Sequence, residues 1–401
     1  MGISAVPWLD GPAFAKASAR QAPMHTREFL FPVRQTRRDF LKAAGVASAA
    51  LLGGAGLSGC VSSGGRTPPP VRIGGGYHTY EAVPEWGQLP PGMSYGLGCG
   101  IVVDGSDNVY VTSRSTLPCV AIFDRRGRLL ETWSHDFGEK VGLSPSKVKN
   151  TAHGIYWSRE SGQEFLYWTE NSAAAEPDKS APGVGRRVYK TDLKGKILYE
   201  IGNVRREGST SQKFNWSNPT DVAVSPTGDI YVVDGYGSQR VSRFDRDFKH
   251  LRTIGSRSSR QDADAAPGTF STCHGIWIST LRRGDPEVYI ADRHNSRLQV
   301  FDLDLKFKRM VKDVVRKPCC FYQHKKWLFV PDLAGRVTVL DAEDRVVAHL
   351  GDGQGASDNQ TNPARFAAPH ALCVDSQGDF YTVEWLDFGR PRKFRHTPQK
   401  S

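Results

Sequence analysis

Three histidines in this chain of 401 residues head matching tripeptides: His153-Gly154-Ile155, His274-Gly275-Ile276 and His370-Ala371-Leu372. A neutral imidazole offers one nitrogen lone pair near neutral pH. Three of them around an open fourth position make the donor set of a catalytic zinc. One such histidine alone reads as a satisfied core or surface residue; three at one register of a repeat read as ligands, provided the fold turns them toward one point. Arg114 and Arg293 form a second group, because a guanidinium can grip a carboxylate through two parallel hydrogen bonds. The plainer reading of each is an exposed salt bridge on a rim.

The elements that must position these groups are copies of one repeat. Its clearest copy runs Pro219-Thr220-Asp221-Val222-Ala223-Val224, a Pro226-Thr227-Gly228-Asp229 turn, then Ile230-Tyr231-Val232-Val233-Asp234 and Arg240-Val241-Ser242-Arg243-Phe244-Asp245, with a weaker strand at Leu251 to Ile254. Alternating apolar residues around Gly- and Asp-rich turns predict four antiparallel strands. Related copies open at Cys99, His153, His274, Cys319 and His370, which makes six. Four short strands cannot bury both sheet faces alone, so the copies must stack radially. The expectation is an all-β, six-bladed β-propeller over residues 72–398, its last blade closed by an outer strand from Val71 to Tyr80, which removes exposed sheet edges.

The residue opening each innermost strand is then Cys99, His153, Thr220, His274, Cys319 or His370. The histidines fall on alternate blades, so their side chains should converge on the central channel. Cys99 and Cys319 share the register and are read as small channel-filling residues rather than competing soft ligands. A second register, at the end of the second strand, holds Ser113, Glu170, Asp234, Asp292, Asp332 and Glu384, recurrent acids that predict blade-to-blade hydrogen bonding. Arg114, Tyr236 and Arg293 stand just after it, on the same rim.

With these residues in place the sequence resembles the NHL-type propeller of peptidyl-α-hydroxyglycine α-amidating lyase. The likeness runs from about residue 95 to 395 and is densest around Pro219 to Val224, Asp234-Gly235-Tyr236 with Ser238 and Arg240, and Ala291-Asp292-Arg293 with Asn295 and Arg297. It implies a zinc held by His153, His274 and His370, a tyrosine at the reacting centre (Tyr236) and two substrate-binding arginines (Arg114 and Arg293). The implied reaction splits a carbinolamide into an amide and glyoxylate. Two positions depart from that pattern. An acid that helps hold a structural calcium is replaced by Ala371, which leaves calcium doubtful, although backbone carbonyls near Ile101 and Ile155 could still contribute. A methionine in the pocket wall is replaced by Ala368. The sequence carries no hydroxylase domain. Another metal-dependent hydrolase or lactonase-like enzyme on the same site, and a non-catalytic propeller that binds a protein, peptide or glycan, are the alternative readings.

The N-terminus speaks to location. Thr36-Arg37-Arg38-Asp39-Phe40-Leu41-Lys42 reads as a twin-arginine export motif. Ala43 to Gly59 is too mildly apolar and too short for a stable membrane span. Leu57-Ser58-Gly59-Cys60 reads as a lipobox with Cys60 acylated. Residues 1–60 are thus a signal segment, with Met24 an alternative start, and 61–71, with Pro68-Pro69-Pro70, a flexible tether. The expected location is the periplasmic or outer side of a membrane, held by lipid after passage through the twin-arginine machinery. The formal net charge is +11. No basic run interleaved with aromatics accompanies it, which argues against nucleic acid and for a small carboxylate-bearing or peptide-like substrate. Besides Cys60 there are six cysteines, and their spacing resembles neither a disulfide framework nor a CxxC zinc site, so they are read as buried thiols.

Overall fold

Sheet pairing follows the repeat. The computed structural model describes residues 69–115, 117–133, 152–171, 186–202, 211–258, 261–355 and 362–399. Six antiparallel sheets succeed one another along the chain. The first comprises Gly98–Val103, Val109–Ser113, Val120–Phe123 and Leu129–Trp133; the second Ala152–Glu160, Gln163–Asn171, Arg186–Thr191 and Ile197–Gly202, with Ser211–Lys213 added in parallel. The third and fourth run Asp221–Val224 to His250–Ile254 and Cys273–Ser279 to Phe307–Val311. The fifth runs Tyr322–His324 to Val346–Leu350, and the sixth opens with Pro369–Val374, Phe380–Glu384 and Arg392–His396.

The core shows that these sheets close a ring. Apolar side chains on both faces of each sheet leave two faces to cover, and the buried residues fall into six clusters, each shared by two neighbouring sheets. Tyr110 and Trp133 of the first blade meet Leu166 and Trp168 of the second. The later junctions follow in order, and Val109 and Phe123 of the first blade pack on Tyr381 and Val383 of the sixth. An open row of six sheets would have five such junctions; the sixth is the closure.

Closure uses more of the N-terminal segment than the sequence suggested. His78–Val83 pairs with Arg392–His396 as the fourth strand of the last blade, and Arg72–Gly75 adds a fifth. The inner strand of the fifth blade is shorter than expected, beginning at Tyr322 rather than Cys319, because the pairing slips by one residue between the Pro318–Asp332 bridge and the Tyr322–Phe329 pair. The Cys319 amide still donates to the Pro331 carbonyl at 3.0 Å, which keeps Cys319 at the inner register.

The acids of the second register hold the crossovers between blades. Asp234 accepts from the amides of Ser217 and Asn218, Asp292 from Ser271, Asp332 from Arg316 and Lys317, and Glu384 from Ala367 and Ala368. Each acid therefore clasps the segment that arrives from the preceding blade and starts its own inner strand. Asp292 is fully buried with Arg297, Oδ2 to Nε at 2.7 Å. The export motif, Met24, Cys60 and the tether up to residue 68 lie outside the described residues.

Candidate active site

Each histidine is aimed by a local break in its strand. The register between first and second strands shifts between Ala152 and Ile155, between Cys273 and Ile276, and between Pro369 and Ala371, so a bulge encloses His153, His274 and His370 in turn. A bulge interrupts the strict alternation of the pleat and redirects one side chain. Glycine makes the tight packing possible at two of them. A Cβ on Gly275 would fall within overlap distance of the Cys319 carbonyl, and one on Gly154 would meet the Thr220 carbonyl and the Asp221 carboxylate.

The three imidazoles come together. Their ring centroids lie 4.9 to 5.1 Å apart, with planes crossing at 63° to 85°. One ligand atom from each lies within 4.8 Å of the others, and all three residues are buried. Ring orientation is fixed from behind: Nδ1 of His153 faces the Thr220 carbonyl at 2.6 Å, that of His274 the Cys319 carbonyl at 2.8 Å, and that of His370 the Cys99 carbonyl at 2.5 Å. A carbonyl can only accept, so every Nδ1 carries the proton and every Nε2 presents a lone pair. Nε2 of His153 and of His370 is buried without a partner, a state that costs about 1–3 kcal/mol per group unless something binds there. Burial, then the neighbouring cationic groups, holds His153 and His274 well below the usual imidazole range, and burial pushes His370 down to about 3. The rings thus stay neutral. The arrangement can hold a metal ion, and three nitrogen donors with an open side suit zinc.

Around this cluster stand the rim residues. The Tyr236 hydroxyl lies 3.1 Å from His274 Nε2 and receives a hydrogen bond from Arg293 Nη1 at 3.1 Å. Gly235 allows the tyrosine its place, since a Cβ there would overlap the Cys273 carbonyl. Burial raises the Tyr236 phenol and outweighs the downward pull of Arg293 and Arg114, so guanidinium charge alone does not yield tyrosinate. Arg293 sits on a single 3-10 turn, Arg293–Asn295, with its amide on the Thr272 carbonyl. Arg114 donates to the Asn171 side-chain oxygen and lies 5.0 Å from the Trp385 ring. Neither arginine has a carboxylate within ion-pair distance among the described residues.

The thiols are not part of the cluster. Burial pushes Cys99 up to about 11 and Cys319 up to about 12, and each is fully buried beside an arginine of the rim. All six described cysteines are free. Two rim residues escaped sequence reasoning. Asn171 and Trp385 each follow a second-register acid directly, as Arg293 does and Tyr236 nearly does, and that offset was the available signal. Asp221, read only as part of a strand motif, is the carboxylate that lines the channel beyond the histidines, beside Ile101, Ile155 and Ala371.

Comparison with known proteins agrees with this architecture. The NHL repeat family matches residues 217–244. The human NHL repeat-containing protein 3 is 25% identical over 222 residues, 55% of either chain. The mouse peptidyl-glycine alpha-amidating monooxygenase is 27% identical over 269 residues, 62% of this chain and 24% of that one. Peptidyl-alpha-hydroxyglycine alpha-amidating lyase 2 of Drosophila melanogaster is 29% identical over 132 residues, 33% of this chain and 27% of that one. The chain thus spans about half or less of the length of these relatives. A gluconolactonase structure from Xanthomonas campestris superposes with a TM-score of 0.51 at 12% identity, covering 81% of this chain and 94% of its own, a likeness of fold. With six sheets closed on one another and these matches beside them, the chain is an NHL-repeat β-propeller that resembles the amidating lyases.

Proposed function

We propose that this protein is an exported zinc-dependent carbon–nitrogen lyase that splits an N-acyl α-hydroxyglycine into the corresponding amide and glyoxylate. The observation that carries the reading is the set of three buried Nε2 lone pairs, each fixed by a carbonyl behind it and gathered within 4.8 Å. His153, His274 and His370 would hold the zinc, which supplies a Lewis acid and a positive charge at the reacting centre. The names of the relatives support the reaction class.

The residues around the histidines match what the reaction requires. Breaking the carbinolamide removes a proton from the hydroxyl oxygen, turns the C–O bond into a carbonyl, breaks the C–N bond and delivers a proton to the amide nitrogen. Tyr236 is the group to take the first proton and return it to nitrogen, since its oxygen is beside His274 and braced by Arg293. The lone pair it now uses on His274 is the one a metal would take, which would free the phenol oxygen for substrate. Arg293 and Arg114 hold the carboxylate, and Arg293, at the Tyr236 oxygen, also steadies the negative charge that builds on the hydroxyl oxygen as its proton leaves. The twin-arginine motif and Cys60 support a lipid-anchored location outside the cytoplasm as part of the same proposal.

Metal analysis of the purified protein tests this first. About one zinc per chain is expected, lost in His274→Ala; a wild-type protein without bound metal would overturn the reading. Glyoxylate release from α-hydroxyhippurate tests it second. Tyr236→Phe should keep its zinc and lose turnover by roughly 100-fold or more. Zinc without glyoxylate release would assign the site to hydrolytic chemistry instead.

A further inference from the structure

Outside the site, several buried or half-buried arginines among the described residues rest on carboxylates. Arg297 pairs with Asp292, Arg187 lies between Glu170 and Glu200, Arg309 binds Glu287 and Asp344, and Arg390 meets Glu384. Arg114 is treated differently. Its Nη2 donates to the Asn171 side-chain oxygen, its guanidinium carbon lies 5.0 Å from the Trp385 ring centre, and a thiol, Cys99, is its third neighbour. Every one of these partners is uncharged. Asn171 is fully buried at the end of its strand, and its Nδ2 has no partner; nor has Arg114 Nε. Trp385 in turn lies 5.1 Å from the His370 ring at an interplanar angle of 27°, so one indole contacts both a ligand imidazole and the arginine.

We propose that Asn171 and Trp385 are positioning residues that clamp Arg114 over the metal site while leaving its positive charge uncompensated for a substrate carboxylate. The physical argument is a comparison of partners. A carboxylate at position 171 would hold the guanidinium just as firmly, but it would also neutralise the charge and occupy donors that a ligand needs. An amide oxygen fixes the fork with one neutral bond, and an aromatic face stabilises a cation without cancelling it. Asn171 Nδ2 and Arg114 Nε, buried and unpaired, are two donors that an incoming oxygen anion can satisfy. The clamp also ties the grip to the metal site through Trp385, because the same indole limits where His370 and Arg114 can lie. The inference rests on the proposed lyase reading for the identity of the carboxylate, and its test can fail separately.

The experiment uses the full zinc-loaded protein and two readouts: KM and kcat for α-hydroxyhippurate, and the calorimetric affinity for glyoxylate. Asn171→Asp changes one atom type without changing shape. It is expected to raise KM and weaken glyoxylate binding by about tenfold or more, with kcat within about twofold, zinc content retained and melting unchanged. Trp385→Phe should behave as wild type, whereas Trp385→Leu should raise KM as Asn171→Asp does. The clamp is overturned if Asn171→Asp folds and binds glyoxylate as wild type does. It is equally overturned if Trp385→Leu leaves KM unchanged, a test that stands even where Asn171→Asp does not fold. Wild-type protein that holds zinc and binds no glyoxylate at all would instead sink the lyase reading.

Discussion

At the scale of single residues, two buried titratable groups push stability in opposite directions with pH. His370 is held down to about 3 by burial, so between about pH 6.5 and 3 the unfolded chain takes up a proton that the folded one refuses, and acid destabilises the metal-free fold through that window. Asp221 is the reverse case. Burial raises its carboxyl to about 7, and the Ile276 amide at 3.1 Å only partly offsets this. Between about pH 4 and 7 the folded chain keeps a proton that the unfolded one has released, so this group's contribution declines as pH rises. Asp221→Asn removes that penalty. Its melting temperature relative to wild type should climb from about pH 5 to about pH 8, read by differential scanning calorimetry; a difference that does not vary with pH would show that Asp221 is ionised in the fold.

At the scale of the strand, the bulge and the glycine after the histidine decide whether three imidazoles can meet. Gly275 lets its strand pack directly on the Cys319 carbonyl, the same oxygen that accepts from His274 Nδ1. Gly275→Ala must move one of them. Loss of the group behind a ligand histidine typically weakens metal binding 10–100-fold, and the crowding itself destabilises by about 1–3 kcal/mol. The prediction is zinc affinity reduced about tenfold or more by chelator competition, together with a lower melting temperature. Wild-type zinc affinity in a folded Gly275→Ala protein would refute it. The tripeptides His-Gly-Ile were visible in the sequence. The bulges were not, because these inner strands are buried on both faces and carry no clean alternation for a one-residue slip to break.

At the scale of the whole molecule, the ring depends on a strand from the far end of the chain. His78–Val83 covers the edge of Arg392–His396, and Ile73 and Tyr80 enter the core shared by the fifth and sixth blades. Removing everything before Pro84 strips two strands from the last blade and exposes the edge of a third, an invitation to intermolecular pairing. Such a protein should melt at a lower temperature and scatter light on warming; a truncated protein as stable and monodisperse as the full chain would show the closure to be dispensable.

How much of this was legible beforehand follows from which forces act along the chain and which act across it. Strand alternation, turn residues and the repeat are local, so the sequence determined the blades, their number and the register of His153, His274 and His370. The acids of the second register were also visible, and the crossover amides they hold follow from blade geometry. What the tertiary structure alone decided lies between blades: the bulges that turn each histidine inward, the carbonyls that fix its proton on Nδ1, and the neutral partners Asn171 and Trp385 that hold Arg114. Those contacts join residues as far apart as Cys99 and His370, and no spacing along a chain encodes which carbonyl will stand behind which ring. Only the closing of the ring brings them to hydrogen-bonding distance.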